Sequence, residues 1–84
     1  MDKLKAEKRE VAELGNGYSF RYETGPGILR DIAEFVTYER VCCPFFDFEL
    51  RVEREGGHTW FTLTGREGVK AFIREEFGLD RSTP

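Results

Sequence analysis

Between Phe46 and Val52 every second residue is apolar: Phe46, Phe48, Leu50 and Val52 alternate with Asp47, Glu49 and Arg51. A period of two sends alternate side chains to opposite faces of a β-strand, so this stretch belongs at the boundary between a core and a polar surface. Pro44 stands just before it. Proline lacks an N–H and drives the preceding residue out of the helical region, so it ends any helix upstream. Such a helix is predicted from Gly27 to about Cys43, where Ile28, Ile32, Phe35 and Val36 recur at helical spacing. The chain therefore switches from a 3.6-residue period to a 2-residue period across two cysteines and a proline.

The same alternation of periods covers the rest of the chain. "REVAEL" and "YSFRYE" flank "GNG", a hairpin signal because glycine and asparagine tolerate positive φ. In the second of these strands Tyr18, Phe20 and Tyr22 alternate with Ser19, Arg21 and Glu23. "TGPG" follows, with Thr24 as a candidate helix cap. Beyond Val52, "EREGG" turns the chain and "HTWFTLT" returns as a fourth strand. "GREGVKAFIREEFG" then places Val69, Phe72, Ile73 and Phe77 on one helical face, with Gly78 as the C-terminal stop.

The order is ββαββα, and an offset of 41 lays Phe20 on Phe61, Ile28 on Val69 and Ile32 on Ile73, as in an internal repeat. The expected fold class is α+β: a two-layer domain with a four-stranded antiparallel sheet and both helices on one face. Residues 9–80 form this single domain, between a flexible N-terminal segment, 1–8, and a tail, 81–84. The other face of the sheet would carry Ser19, Arg21, Asp47, Glu49, Arg51, His58, Trp60 and Thr62. Trp60 is the one large aromatic in that set, which makes Trp60 and Arg21 a candidate homodimer interface.

A chain of 84 residues has little interior. Domains of this size bury only about 60–65% of their unfolded surface, and the eight Phe, three Tyr and one Trp compensate through the large area each covers. A net charge of −3 argues against nucleic acid, whose binding needs a basic face. There is no N-terminal apolar leader and no run long enough to span a bilayer, so no membrane partner is expected and a cytoplasmic location is. Two adjacent cysteines exclude a disulfide framework.

The chemistry concentrates at Glu39, Cys42 and Cys43. Continued toward its C-terminus, the apolar stripe of the first helix runs through Glu39 and Cys43, with Cys42 at its edge. Glu39 lies three and four residues before the two cysteines, within reach of both sulfurs. A helix C-terminus is partially negative and Glu39 adds to it, so both disfavour a thiolate and speak against an enzymatic nucleophile. A cation reverses the sign of that argument, because a bound soft metal deprotonates thiols itself. Two sulfurs suit Hg(II), Cu(I) or a trivalent arsenical, with Glu39 or His58 as a weak extra ligand and Arg40 only a secondary neighbour of the site. Zinc wants four ligands and fits poorly. Inert packing is the alternative, since free cysteine is among the most buried residue types.

"YERVCCPFFDFELRVE", followed by "FTLTGREGVKAFI", resembles a group of small bacterial proteins with an E-R-x-C-C-P-F-x-x-F signature. That group is associated with heavy-metal (mercury and arsenic) resistance gene clusters. The resemblance covers about half the chain, and its specific part is the double cysteine with proline. It implies that Cys42 and Cys43 handle a thiophilic metal, with Glu39 and Arg40 completing the signature, and it implies no reaction. Two functions follow as expectations. One is a soft-metal binding or sequestering protein that hands its ion to a metal-handling protein partner. The other is a homodimeric, non-enzymatic interaction module whose cysteines are core residues.

Overall fold

A computed structural model describes Leu4 and residues 7–79 of the chain. Strands β1 (Glu10–Leu14) and β2 (Gly17–Tyr22) form a hairpin, helix α1 spans Pro26–Cys42, and strands β3 (Phe46–Val52) and β4 (Thr59–Gly65) form a second hairpin. Helix α2, Val69–Glu76, closes the fold. The strands make one antiparallel sheet in the order β1-β2-β4-β3, so the two halves meet at β2 and β4. This is the α+β architecture that the periodicity predicts.

The core lies on one face of the sheet. Tyr18, Phe20 and Tyr22 of β2 face Leu63, Phe61 and Thr59 of β4 across the ladder, and all six are buried. Both helices bring a ring to this centre: Phe77, capping α2, stacks on Phe20 at 4.5 Å, and Phe35 of α1 meets Phe61 edge-on at 5.7 Å. Phe20 and Phe61, superposed by the offset of 41, are also direct partners in the ladder. The two ββα halves are thus related by an approximate two-fold through this pair.

Several local expectations change. The β1–β2 loop is the two-residue Gly15 and Asn16, but neither is left-handed; positive φ occurs at Glu55, Gly56, Gly68 and Gly78. The glycine the hairpin requires is Gly17, where a Cβ would collide with the Leu63 carbonyl oxygen and lie 2.7 Å from Thr64 Cα. Thr24 does not cap α1. The N-cap is Gly25, followed by Pro26 in the first turn, and no side chain bonds there. The Thr24 hydroxyl instead donates to the Gly57 carbonyl at 2.7 Å and accepts from Thr59 Oγ1 at 2.8 Å, since it has one proton to give.

Gly78, with φ 66°, ends α2 as its position suggests. Most of the segment expected to be flexible, and the tail 81–84, lie outside the described residues. Leu4, within the first of these, is 1% exposed, and its carbonyl accepts the buried Tyr22 hydroxyl at 2.9 Å. No helix of the described residues is long and apolar enough to cross a membrane.

The close approach at Gly17 sets a direct test. Gly17→Ala should lower stability by about 1–3 kcal/mol, because the backbone of β4 must shift to admit a methyl group. Gly15→Ala, with open space around it, should stay within about 0.5 kcal/mol of the parent. Urea midpoints of the two variants measure the contrast, and equal effects would show that the β2–β4 approach is looser than described.

Candidate functional site

Helix α1 is 17 residues long against 8 for α2, and its extra turns carry Glu39, Cys42 and Cys43 to the end of the sheet. Cys42 is the last helical residue and is exposed. Cys43 leaves the helix at φ −129° and ψ 72°, while its N–H still donates to the Glu39 carbonyl at 2.6 Å. Its own carbonyl accepts the Phe46 N–H at 3.3 Å, closing a β-turn with Pro44 in second position, where the ring's fixed φ is favoured. That turn starts β3. The break at Cys43 is what lets two adjacent side chains leave the helical 100° spacing.

The three residues named from the sequence are brought together. Cys43 is buried and Glu39 half-buried, and the Cys42 thiol and the Glu39 carboxylate lie close enough to bear on the Cys43 thiol. Burial pushes the Cys43 thiol up to about 12, and its bonds to Cys42 and Glu39 and the Glu39 charge push in the same direction. At neutral pH this sulfur is a protonated thiol in a negative setting, the reverse of an activated nucleophile.

The secondary candidates lie elsewhere. Arg40 is exposed in the last turn of α1, where a cation complements the helix dipole. His58 precedes β4 at the far end of the β3–β4 ladder, beside the Val52–Thr59 pair, whereas the cysteine turn adjoins the Phe46–Gly65 pair. Seven residues of strand separate them by roughly 20 Å. His58 sits instead between two carboxylates, Nε2 3.9 Å from Glu23 and Nδ1 3.8 Å from Glu53. It is not a ligand of the thiol site.

The open face holds Trp60 and Arg21 as expected, in the cross-strand row Arg51, Trp60, Arg21, Glu10. Both are engaged within the chain. Arg21 Nε donates to Glu10 at 2.9 Å, and the Trp60 indole lies beside the Glu53 carboxylate. The His58 backbone N–H, 2.9 Å from the same carboxylate, is the main reason that it lies below the ordinary carboxylate range.

Gly65 is the member that sequence reasoning missed. A Cβ there would lie 2.8 Å from the Phe45 carbonyl oxygen and 2.7 Å from Val69 Cγ2, so the cysteine turn rests against a bare backbone at the end of β4. Its only sequence signal is a glycine ending an alternating strand. Around the same turn Phe45, Phe46 and Phe72 form an aromatic group with ring centroids 5.1–5.9 Å apart.

Among the described residues, no group of three or more His, Cys, Asp or Glu side chains is placed to hold a metal ion. What the helix end offers is two sulfurs with a carboxylate behind them. The fold and site define a small two-layer α+β domain carrying a vicinal dithiol at a helix-to-strand turn. No family model, curated protein or solved structure matches the chain.

The protonated Cys43 has a thermodynamic consequence. Above about pH 8.5, the ordinary thiol value, the unfolded chain releases this proton while the folded chain holds it up to about 12. The folded state then binds more protons, so stability falls as pH rises through that window. Buried Tyr22, whose hydroxyl is also pushed up by burial, adds its own loss only above its ordinary value near 10. Urea midpoints should therefore fall between about pH 8.5 and 9.5, and Cys43→Ala should lose most of that slope. A slope that survives in the variant would show that Cys43 is not the group held protonated.

Proposed function

We propose that the Cys42–Cys43 turn captures a thiophilic metal species, Hg(II), Cu(I) or As(III), by two-sulfur ligation. The observation that carries this reading is the shared position of an exposed thiol, a buried thiol and the Glu39 carboxylate at the broken end of α1. Exposed Cys42 makes the first contact, and Cys43 follows by turning out of the core edge about the non-helical backbone before Pro44. With Hg(II) or Cu(I), two S–H bonds are exchanged for two sulfur–metal bonds, two protons leave and the ion sheds its former ligands. With As(III), which arrives as neutral arsenous acid, two As–O bonds break and the two protons leave with the hydroxides as water. Glu39 is within reach to take the proton from Cys43. The negative helix end that suppresses a thiolate stabilises the incoming cation.

Soft sulfur selects these ions over hard ones, and two sulfurs are too few for a closed zinc site. Such a turn binds and releases without transforming its cargo, so the role is sequestration or hand-over to a metal-handling protein by thiol exchange. A reducing cytoplasm would keep both thiols available. The burial of Cys43 favours a second reading, in which Cys43 is a packing residue only and Cys42 an inert surface thiol.

Native mass spectrometry of the reduced protein separates the two. The protein is mixed with Hg(II), Cu(I), As(III) or Zn(II) in the presence of a competing small thiol. One soft ion per chain should be retained, Zn(II) should not, and Cys42→Ser or Cys43→Ser should each abolish retention. Because Cys43 must lose its proton, the apparent affinity for Hg(II) or Cu(I), measured without the competing thiol, should rise by at least about tenfold per pH unit on the neutral side of its titration. No retained ion from the parent protein would leave Cys43 as a core residue and Cys42 as an inert surface thiol.

A further inference from the structure

We infer that the outer edge of β3 is the contact surface for a second copy of this chain, pairing with the same strand antiparallel about Leu50. The backbone alternation fixes which groups point outward. The Glu53 N–H donates to the His58 carbonyl at 3.0 Å, so in an antiparallel ladder the odd-numbered residues of β3 bond inward to β4. Phe48, Leu50 and Val52 then turn their N–H and C=O groups to the outside. On the helix face their side chains are only partly covered, with Leu50 47% and Val52 48% exposed.

The opposite edge of the sheet is protected where β3 is not. β1 has five residues, and its Glu13 lies on the helix face opposite Tyr18, where Lys70 of α2 bonds it at 2.5 Å. A charge turned inward at an edge blocks further pairing. β3 has seven residues and carries none of these devices: no proline, no lysine and no charge on its helix face. An unprotected apolar edge of this length is a pairing surface.

The residues of β3 say what pairs there. Centring a two-fold on Leu50 puts Leu50 against Leu50, Phe48 against Val52 twice, and Glu49 against Arg51 twice. Apolar meets apolar on the helix face and opposite charges meet on the open face, which is the stabilising arrangement for cross-strand neighbours. Shifting the centre one residue either way puts Glu49 against Glu49, or Arg51 against Arg51. The like-charged facing in the chosen register, Asp47 against Glu53 twice, involves a residue beyond the end of β3. A foreign strand would have no reason to match this pattern; a second copy matches it by symmetry.

The two-fold stands normal to the sheet, so the eight strands run β1-β2-β4-β3-β3-β4-β2-β1 with α1 and α2 of both copies on one side. This arrangement does not use Trp60 or Arg21, and it keeps the two cysteine turns at opposite ends of the shared ladder. The proposal is independent of metal binding.

Sedimentation equilibrium over a concentration series tests it, on the parent, Glu49→Arg, Arg51→Glu and the double swap. Glu49 and Arg51 are exposed, and circular dichroism verifies that each variant folds. The parent should dimerise. Each single variant puts like charges together in both symmetric pairs and should weaken dimerisation about tenfold or more, while the double swap should restore it. A parent that stays monomeric throughout, or a dimer that ignores the single reversals, overturns the proposal.

Discussion

The cross-strand pair of Phe20 and Phe61 is the contact on which the rest of the molecule depends. Both side chains are fully buried, and they face each other where β2 meets β4, the strand pairing that joins the two halves of the sheet. Each half then sends a ring to the same place. Phe77 stacks on Phe20, Phe35 stands edge-on to Phe61, and Phe35 and Phe77 touch at 6.1 Å. Offset and edge-to-face rings add about 0.5–1.5 kcal/mol per pair beyond the area they bury. A domain this small has a net stability of only about 5–10 kcal/mol, so a four-ring centre decides whether the helices dock at all.

The approximate two-fold through that pair also explains where chemistry is found. In the second half α2 is short and ends at Gly78. In the first half α1 runs on past the sheet, and its last turn must end where β3 begins. Pro44 ends it, the β-turn from Cys43 to Phe46 redirects it, and bare Gly65 gives the turn room. The departure from symmetry is what exposes Cys42, buries Cys43 and brings Glu39 beside them.

Much of this was legible in the residues because face selection is local. The period-two stretches and the helical stripe through Ile28, Ile32, Phe35, Glu39 and Cys43 each report which side of an element meets the core, without knowledge of the partner. What was not legible depends on pairing at long sequence separation. Thr24 looks like a helix cap until β4 brings Gly57 and Thr59 to it, 33 and 35 residues away. Gly17 and Gly65 matter for the backbone that approaches them, which no local pattern encodes. His58 looked available to the thiols because sequence distance says nothing about which end of a ladder a residue occupies. Trp60 looked exposed, whereas its cross-strand neighbours Arg21 and Arg51 leave it half-buried.

The segment from Glu39 to Val52 carries two demands on one short stretch, and the strand alternation keeps them apart. The turn of Cys43 and Pro44 starts β3, and the ladder to β4 uses the odd-numbered backbone of that strand. Its even-numbered backbone and the apolar side chains beside it remain for the outer edge. Pairing about Leu50 would set Phe46 opposite a residue beyond the partner strand's end, so the cysteine turn lies outside the paired region. A buried thiol can move only if the backbone around it is free of a second constraint. Placing the dithiol before the strand, and the self-complementary residues within it, satisfies both conditions with a single change of period at Pro44.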